Sequence, residues 1–278
     1  MIIDAHTQVF PPDVRDSRDE YVARDEAFRA VYGNASLPIA TAEELLASMD
    51  EAGIDRSVVL GFSWSDAELC AMHSEYLLTE AAKSGGRLIP FCTIHPGGDN
   101  ARKQMERYAS RGARGLGELR PALQGYGLID SEEADLLAWA SEAYDLTLFF
   151  HASEPVGPVY PGKPGLPVEE LGRFVADFPG VTVIAANWGA GLPFYALMPE
   201  VRESLVTTYF DTASAGFAYR PEVYARTVEL VGAQHLLFGS GFPKRGPAEA
   251  VVEVRSAPID DEAKALILGE NAGKVLRL

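Results

Sequence analysis

Two histidines and a glutamate, far apart in the chain, are its most suggestive chemical set. His6 closes the opening run Ile2-Ile3-Asp4-Ala5-His6, Glu118 sits in Gly117-Glu118-Leu119, and His151 follows the apolar run Leu146-Thr147-Leu148-Phe149-Phe150. Two imidazoles and a carboxylate suffice to hold a catalytic zinc that keeps an open position. Water on such an ion becomes a nucleophile near neutral pH. Strand side chains alternate faces with a period of two, so His6 and Gln8 point the same way if the first strand persists. Asp211, behind Thr207-Thr208-Tyr209-Phe210, is a fourth candidate. Each has a structural alternative: packed strand-end histidines for His6 and His151, a salt bridge to Arg114 or Arg120 for Glu118, and a local backbone partner for Asp211.

Such scattered residues can act together only if a fold gathers them. The hydrophobic pattern predicts strands at the opening residues and at 57–60, 88–93, 113–119, 146–150, 181–185, 207–210 and 235–238. Helices are predicted between them, over 41–52, 66–84, 100–111, 132–144, 168–177, 193–204 and 221–231, with two more over 247–255 and 260–268. Thr41-Ala42-Glu43-Glu44 is a capping-box pattern, and Gly53 stops the helix it opens. Eight strands alternating with helices predict a closed (β/α)8 TIM barrel, an α/β fold, as one domain over 1–278. The alternative is an open doubly wound sheet. Residues 9–40 are read as a largely irregular excursion on the pocket side, with a short helix within 13–26; a rim and a solvated loop both fit.

Barrel chemistry gathers at the C-terminal ends of the strands. Those ends offer Asp4, His6 and Gln8; Ser63 and Trp64; His95; Glu118 and Arg120; His151, Ser153 and Glu154; Asn187 and Trp188; Asp211 and Thr212; and Ser240 before Gly241. His73 inside a helix and His235 at the opposite barrel end read as structural. Gly189-Ala190-Gly191 offers amides to an anion only weakly. No CxxC, HExxH, P-loop or GxSxG pattern occurs.

The 278 residues are 47% apolar and carry a formal charge of −16. That balance argues against a nucleic-acid footprint, which needs clustered Lys and Arg. No run of 18 apolar residues is present to span a bilayer. Cys70 and Cys92 imply no disulfide scaffold, and with no leader-like opening a reducing, cytoplasmic location is expected. The expected partner is a small-molecule substrate, not nucleic acid or membrane; assembly with further copies of the chain stays open.

From Ile3 to about Leu276 the sequence resembles the amidohydrolase-related family of metal-dependent hydrolases and decarboxylases. The pieces that carry the resemblance are Ile3-Asp4-Ala5-His6, Gly117-Glu118-Leu119, His151-Ala152-Ser153-Glu154-Pro155, Tyr160-Pro161-Gly162-Lys163, Trp188 to Tyr195, Phe238-Gly239-Ser240 and Asn271-Ala272. The resemblance implies a TIM barrel with a mononuclear or binuclear metal site. It also marks departures. Gln8 stands for the second histidine of Asp-x-His-x-His, Asn187 for the sixth-strand histidine, Gly241 for the aspartate of Gly-Ser-Asp, and Pro158 for a further histidine. Neutral amides are poor zinc ligands beside imidazole. The resemblance therefore implies one weakly held zinc or manganese ion on His6, Glu118 and His151, or none, and no filled binuclear site. Asp211 or Glu154 would serve as replacement base, and Arg120 would steer a substrate carboxylate. The expected function is hydrolase-like action on a small carbonyl, amide, ester or carboxylate compound. The alternatives are a metal-independent or decarboxylase-like lyase in the same pocket and a non-catalytic binding homologue.

Overall fold

The computed structural model describes residues 1–159 and 162–278. Tyr160 and Pro161, from the Tyr160–Lys163 piece of the resemblance, lie outside the described residues. Among the described residues eight strands run in order: β1 (Ile3–Gln8), β2 (Arg56–Leu60), β3 (Leu88–Cys92), β4 (Gly115–Leu119), β5 (Thr147–Phe150), β6 (Val183–Ala185), β7 (Thr208–Asp211) and β8 (Leu236–Leu237). Each pairs in parallel with the next. The circle closes where Ala5 N–H donates to Phe238 O (2.7 Å), Gln8 N–H to Phe242 O (2.9 Å) and Gly241 N–H to His6 O (3.0 Å). With helices between the strands, this is the (β/α)8 barrel.

Alternation along the strands divides the core. Val58, Leu60, Ile89, Phe91, Phe149, Ile184 and Leu237 belong to one buried cluster, which fills the barrel with Ile3 and Ala5. Val59, Cys92, Leu116, Leu148, Phe150 and Val183 belong to another, between sheet and helices. A third, aromatic cluster of Phe10, Phe28, Tyr32, Phe62 and Trp64 lies under the 9–40 excursion. Phe91 and Phe149 fill so much of the barrel that β4 carries glycines beside them. A Cβ on Gly115 would stand 2.3 Å from the Phe91 ring, and one on Gly117 2.6 Å from Phe149 Cβ.

Two irregularities turn the right side chains inward. Strict alternation would put Ala5 and Thr7 on one face. The β1–β2 register shifts between Asp4 and Thr7, so Ala5 stays in the barrel core while His6 and Gln8 face the pocket above it. The β4–β5 register shifts likewise between Leu116 and Leu119, and Glu118 faces inward one residue after Gly117.

Helices follow the pattern with three differences. The excursion holds three short helices, Pro12–Asp16, Arg18–Arg24 and Glu26–Tyr32, rather than one. The helix expected over 193–204 is a 3-10 segment, Leu192–Leu197, then an α-helix, Pro199–Ser204; Met198 between them is extended, as a residue before proline prefers. The last helix does not stop near 268 but continues from Asp261 to Val275 with a wider turn at Leu266–Glu270. There Gly269 admits the chain start: a Cβ would lie 2.3 Å from Met1 O. The capping box is present, with Thr41 N–H on Glu44 Oε2 at 2.7 Å.

Candidate active site

The C-terminal strand ends open into one pocket of about 480 Å³. His6, Gln8, Glu118, His151, Asn187 and Ser240 supply its polar wall; Leu37, Pro38, Phe217 and Phe242 supply apolar surface. Leu37 and Pro38, with Ser36, bring the end of the excursion to the pocket.

His6 sits between two carboxylates. Its Nδ1 is 2.8 Å from Asp211 Oδ2, and its Nε2 is 3.6 Å from Glu118 Oε1. Asp211 is fully buried; its Oδ1 accepts the backbone N–H groups of Asn187 (3.0 Å) and Ala213 (2.9 Å). Held by three donors, Asp211 fixes the imidazole with Nδ1–H toward itself and leaves Nε2 to exchange protons. Phe149 packs edge-on to the ring at 5.1 Å. Close approach requires glycine at 239, where a Cβ would lie 2.9 Å from His6 Cβ and 3.1 Å from Asp211 Cβ. Burial disfavours the imidazolium, but Asp211 and then Glu118 outweigh it and raise the His6 pKa above 6.5.

His151 is the opposite case. Its Nδ1–H donates to Glu118 Oε1 at 2.5 Å, and its Nε2 is buried without a partner among the described residues. Burial and the Arg120 charge outweigh Glu118 and hold its pKa below the usual histidine range. It is a neutral ring with an acceptor lone pair at the pocket. Glu118 is itself braced: Arg120 Nε and Nη2 lie 3.2 and 3.1 Å from Oε2. Burial works against this carboxylate, yet Arg120 and His151 hold its pKa well below the usual range. Asp4 ties β1 to the segment after β8 through Oδ1, which accepts from His6 N–H (3.0 Å) and Ser240 N–H (2.9 Å). Burial raises its pKa to about 6 against those bonds.

The donor set does not suit a divalent ion. Gln8 Oε1 accepts the Tyr32 hydroxyl at 2.5 Å, so the amide presents its buried NH2, unpartnered among the described residues, instead of oxygen. Both ends of Asn187 are engaged, Nδ2 on Ala152 O at 2.8 Å and Oδ1 by Ser214 Oγ at 2.6 Å. Gly241 supplies nothing, His6 and His151 offer only their Nε2 atoms, and Arg120 already neutralises Glu118. Among the described residues no group of three His, Cys, Asp or Glu side chains is arranged to hold a metal.

The fold thus brings His6, Glu118, His151 and Asp211 together. Arg120 is 97% buried and is not a pocket-lining residue: besides Glu118, it binds the Gly162 and Pro164 carbonyls at 3.1 and 3.5 Å. It braces Glu118 where the sequence suggested a contact with substrate. Glu154 is half-buried outside the pocket lining, and Pro158 is exposed. His95 is also outside that lining. His73 is packed, with Nε2–H on Val9 O at 2.7 Å and Nδ1 accepting from Trp64 Nε1 at 3.1 Å; burial lowers its pKa to about 4. His235 bonds Thr208 O at the start of β7. Gly189-Ala190-Gly191, a weak anion signal in the sequence, belongs to a left-handed turn, with φ between 53° and 82° from Asn187 through Gly191. Left-handed backbone costs roughly 1–2 kcal/mol per non-glycine residue; here it aims Asn187 N–H at Asp211.

Lys244 escaped the sequence reading. It follows Gly241-Phe242-Pro243 in the loop after β8, lines the pocket and is an exposed residue. Crowding by protein and then the Arg120 charge pull its pKa down to about 8. Its position in the loop after the eighth strand is the signal the sequence offers for it.

The amidohydrolase family model matches residues 3–278. No curated protein sequence matched the chain. Among solved structures, it is similar to 5-carboxyvanillate decarboxylase from Sphingomonas paucimobilis (TM-score 0.79, 19% identity, 100% of this chain and 99% of that one). It is also similar to 2,6-dihydroxybenzoate decarboxylase from Rhizobium (TM-score 0.71, 17% identity, 99% and 98%). A third is dihydroxybenzoic acid decarboxylase from Polaromonas sp. with bound manganese and the inhibitor 2-nitroresorcinol (TM-score 0.74, 14% identity, 100% and 97%). At these identities the likeness shows a shared fold.

Proposed function

The chain belongs to the amidohydrolase family, and on that premise we propose that it is a metal-independent acid–base enzyme that decarboxylates a small hydroxylated aromatic carboxylate. The observation that carries this reading is the divergence of two histidines in one pocket. His6 is pushed toward the imidazolium and His151 toward the neutral ring. Titratable neighbours whose environments drive their pKa values apart mark an acid and a base. The similar structures add support: by their names, they act on carboxylated aromatic rings.

In the proposed step, a substrate hydroxyl donates to His151 Nε2, the buried acceptor that lacks a partner among the described residues. Electron density rises on the ring carbon that bears the carboxylate, and that carbon takes the proton of His6 Nε2. The bond to the carboxylate breaks, its electron pair returns to the ring, and CO2 leaves. Solvent returns the proton to His6. Asp211 orients the acid and stabilises its charged form; Glu118 fixes the His151 tautomer; Arg120 keeps Glu118 ionised. The Gln8 NH2 is a further donor to a substrate oxygen. Leu37, Pro38, Phe217 and Phe242 suit an aromatic ring.

A hydrolytic reading uses the same free lone pair, with His151 Nε2 holding a water instead of a substrate hydroxyl. A screen of hydroxybenzoates beside esters, amides and lactones separates the two. Decarboxylation is expected, reduced about 10²–10⁴-fold in His6→Gln and in His151→Gln, the usual scale of proton-transfer catalysis. Equal rates in wild type and both variants would mean that the site is elsewhere. No turnover of any compound would favour a non-catalytic binding protein.

A further inference from the structure

We infer that Lys244 anchors a second carboxylate of the substrate, one that stays on the molecule, so that the substrate class is a small aromatic dicarboxylate. The starting point is a charge without a partner. Among the described residues the Lys244 ammonium makes no hydrogen bond or ion pair, although the residue lines the pocket. The other cations nearby are committed. Arg120 binds Glu118 and the Gly162 carbonyl. Arg245 pairs with Glu253 at 2.6 Å and Glu249 at 3.2 Å. In a chain of formal charge −16, a lysine left unpaired inside a pocket is notable.

Its place is defined. A Cβ on Gly162 would lie 3.5 Å from Lys244 Nζ and 3.9 Å from Leu37 Cδ1. The ammonium therefore lies across Gly162, whose carbonyl Arg120 holds, beside the apolar wall at Leu37. A ring against that wall brings a substituent within reach of it. With Arg120 and Arg245 already paired to carboxylates, one free ammonium suits a singly charged carboxylate better than a phosphate, which draws several donors.

The anchored group is distinct from the one that leaves. Loss of CO2 discharges the departing carboxylate, so an ammonium on that group would stabilise the ground state more than the transition state. On a group that keeps its charge, the same contact binds ground and transition states alike. This choice of group rests on the proposed decarboxylation; the anchoring itself does not.

The test is calorimetric binding of benzoate and benzene-1,3-dicarboxylate to the full chain and to Lys244→Met. Thermal melting checks that the variant folds, as an exposed side chain should allow. A charge-assisted hydrogen bond gives the dicarboxylate an advantage of roughly 10- to 100-fold in wild type. Lys244→Met should abolish that advantage, while Lys244→Arg keeps part of it. A preference that survives in Lys244→Met, or that wild type lacks, overturns the inference. If Lys244→Met loses the preference but no hydroxybenzoate is turned over, the anchor stands and the decarboxylation reading falls. If turnover is found and the preference is indifferent to Lys244, the anchor alone falls.

Discussion

Replacing Asp211 by asparagine removes the charge that holds His6 while nearly conserving shape. Asn187 and Ala213 N–H groups can still bond Oδ1, but the new NH2 faces His6 Nδ1, 2.8 Å away in wild type. That geometry makes Nδ1 an acceptor and disfavours the imidazolium. A hydrogen bond to a charged group contributes about 1.5–3 kcal/mol, which is about 1–2 pKa units at 1.36 kcal/mol each. With Asp211 gone, burial dominates and the His6 pKa should fall by about that amount. The stability effect has a definite sign. A folded-state pKa raised above 6.5 contributes stability that is fully present below the unfolded value and lost as pH climbs through the folded one. Asp211→Asn should therefore destabilise by about 2 kcal/mol near pH 6 and by clearly less near pH 9. Ring-nitrogen NMR gives the pKa, and urea unfolding at the two pH values gives the stability. An unchanged His6 pKa, or equal destabilisation at both pH values, would refute the coupling.

Two other substitutions test the supports around this pair. Gly239→Ala places a Cβ 2.9 Å from His6 Cβ and 3.1 Å from Asp211 Cβ; overpacking should cost about 1–3 kcal/mol in urea unfolding and shift the His6 ring resonances, and a neutral variant would show that the contact is soft. Arg120→Met leaves Glu118 buried without its cation, and breaking such a pair costs about 3–5 kcal/mol. A loss under about 1 kcal/mol in chemical unfolding would show that Glu118 does not depend on Arg120.

The barrel was legible because its signals are local and repeated. Alternating apolar runs, the Thr41–Glu44 capping box and the glycine stop at Gly53 each act within a few residues. His6, Glu118, His151 and Asp211 were legible as strand ends because a parallel barrel gathers those ends at one mouth. The two register shifts were not: they show only when Asp4–Thr7 and Leu116–Leu119 are set against their neighbours. Gly269 and Gly239 answer to partners far away in sequence, so neither close approach could be read locally. The commitments of Arg120 to Glu118, and of Gln8 to Tyr32, depend on side-chain choices that spacing does not encode. Lys244 lies in the loop after β8, where a lysine carries no signature by type or spacing and only the folded pocket gives it a place.

Whether proton transfer between His6, His151 and substrate proceeds without a metal ion is read from hydroxybenzoate decarboxylation in D2O by protein stripped with chelator, with and without added manganese or zinc. A metal-independent site gives the same rate in all three conditions, one deuterium on the vacated ring carbon, and loss of both signals in His6→Gln. A rate that vanishes on chelation and returns with manganese would contradict it.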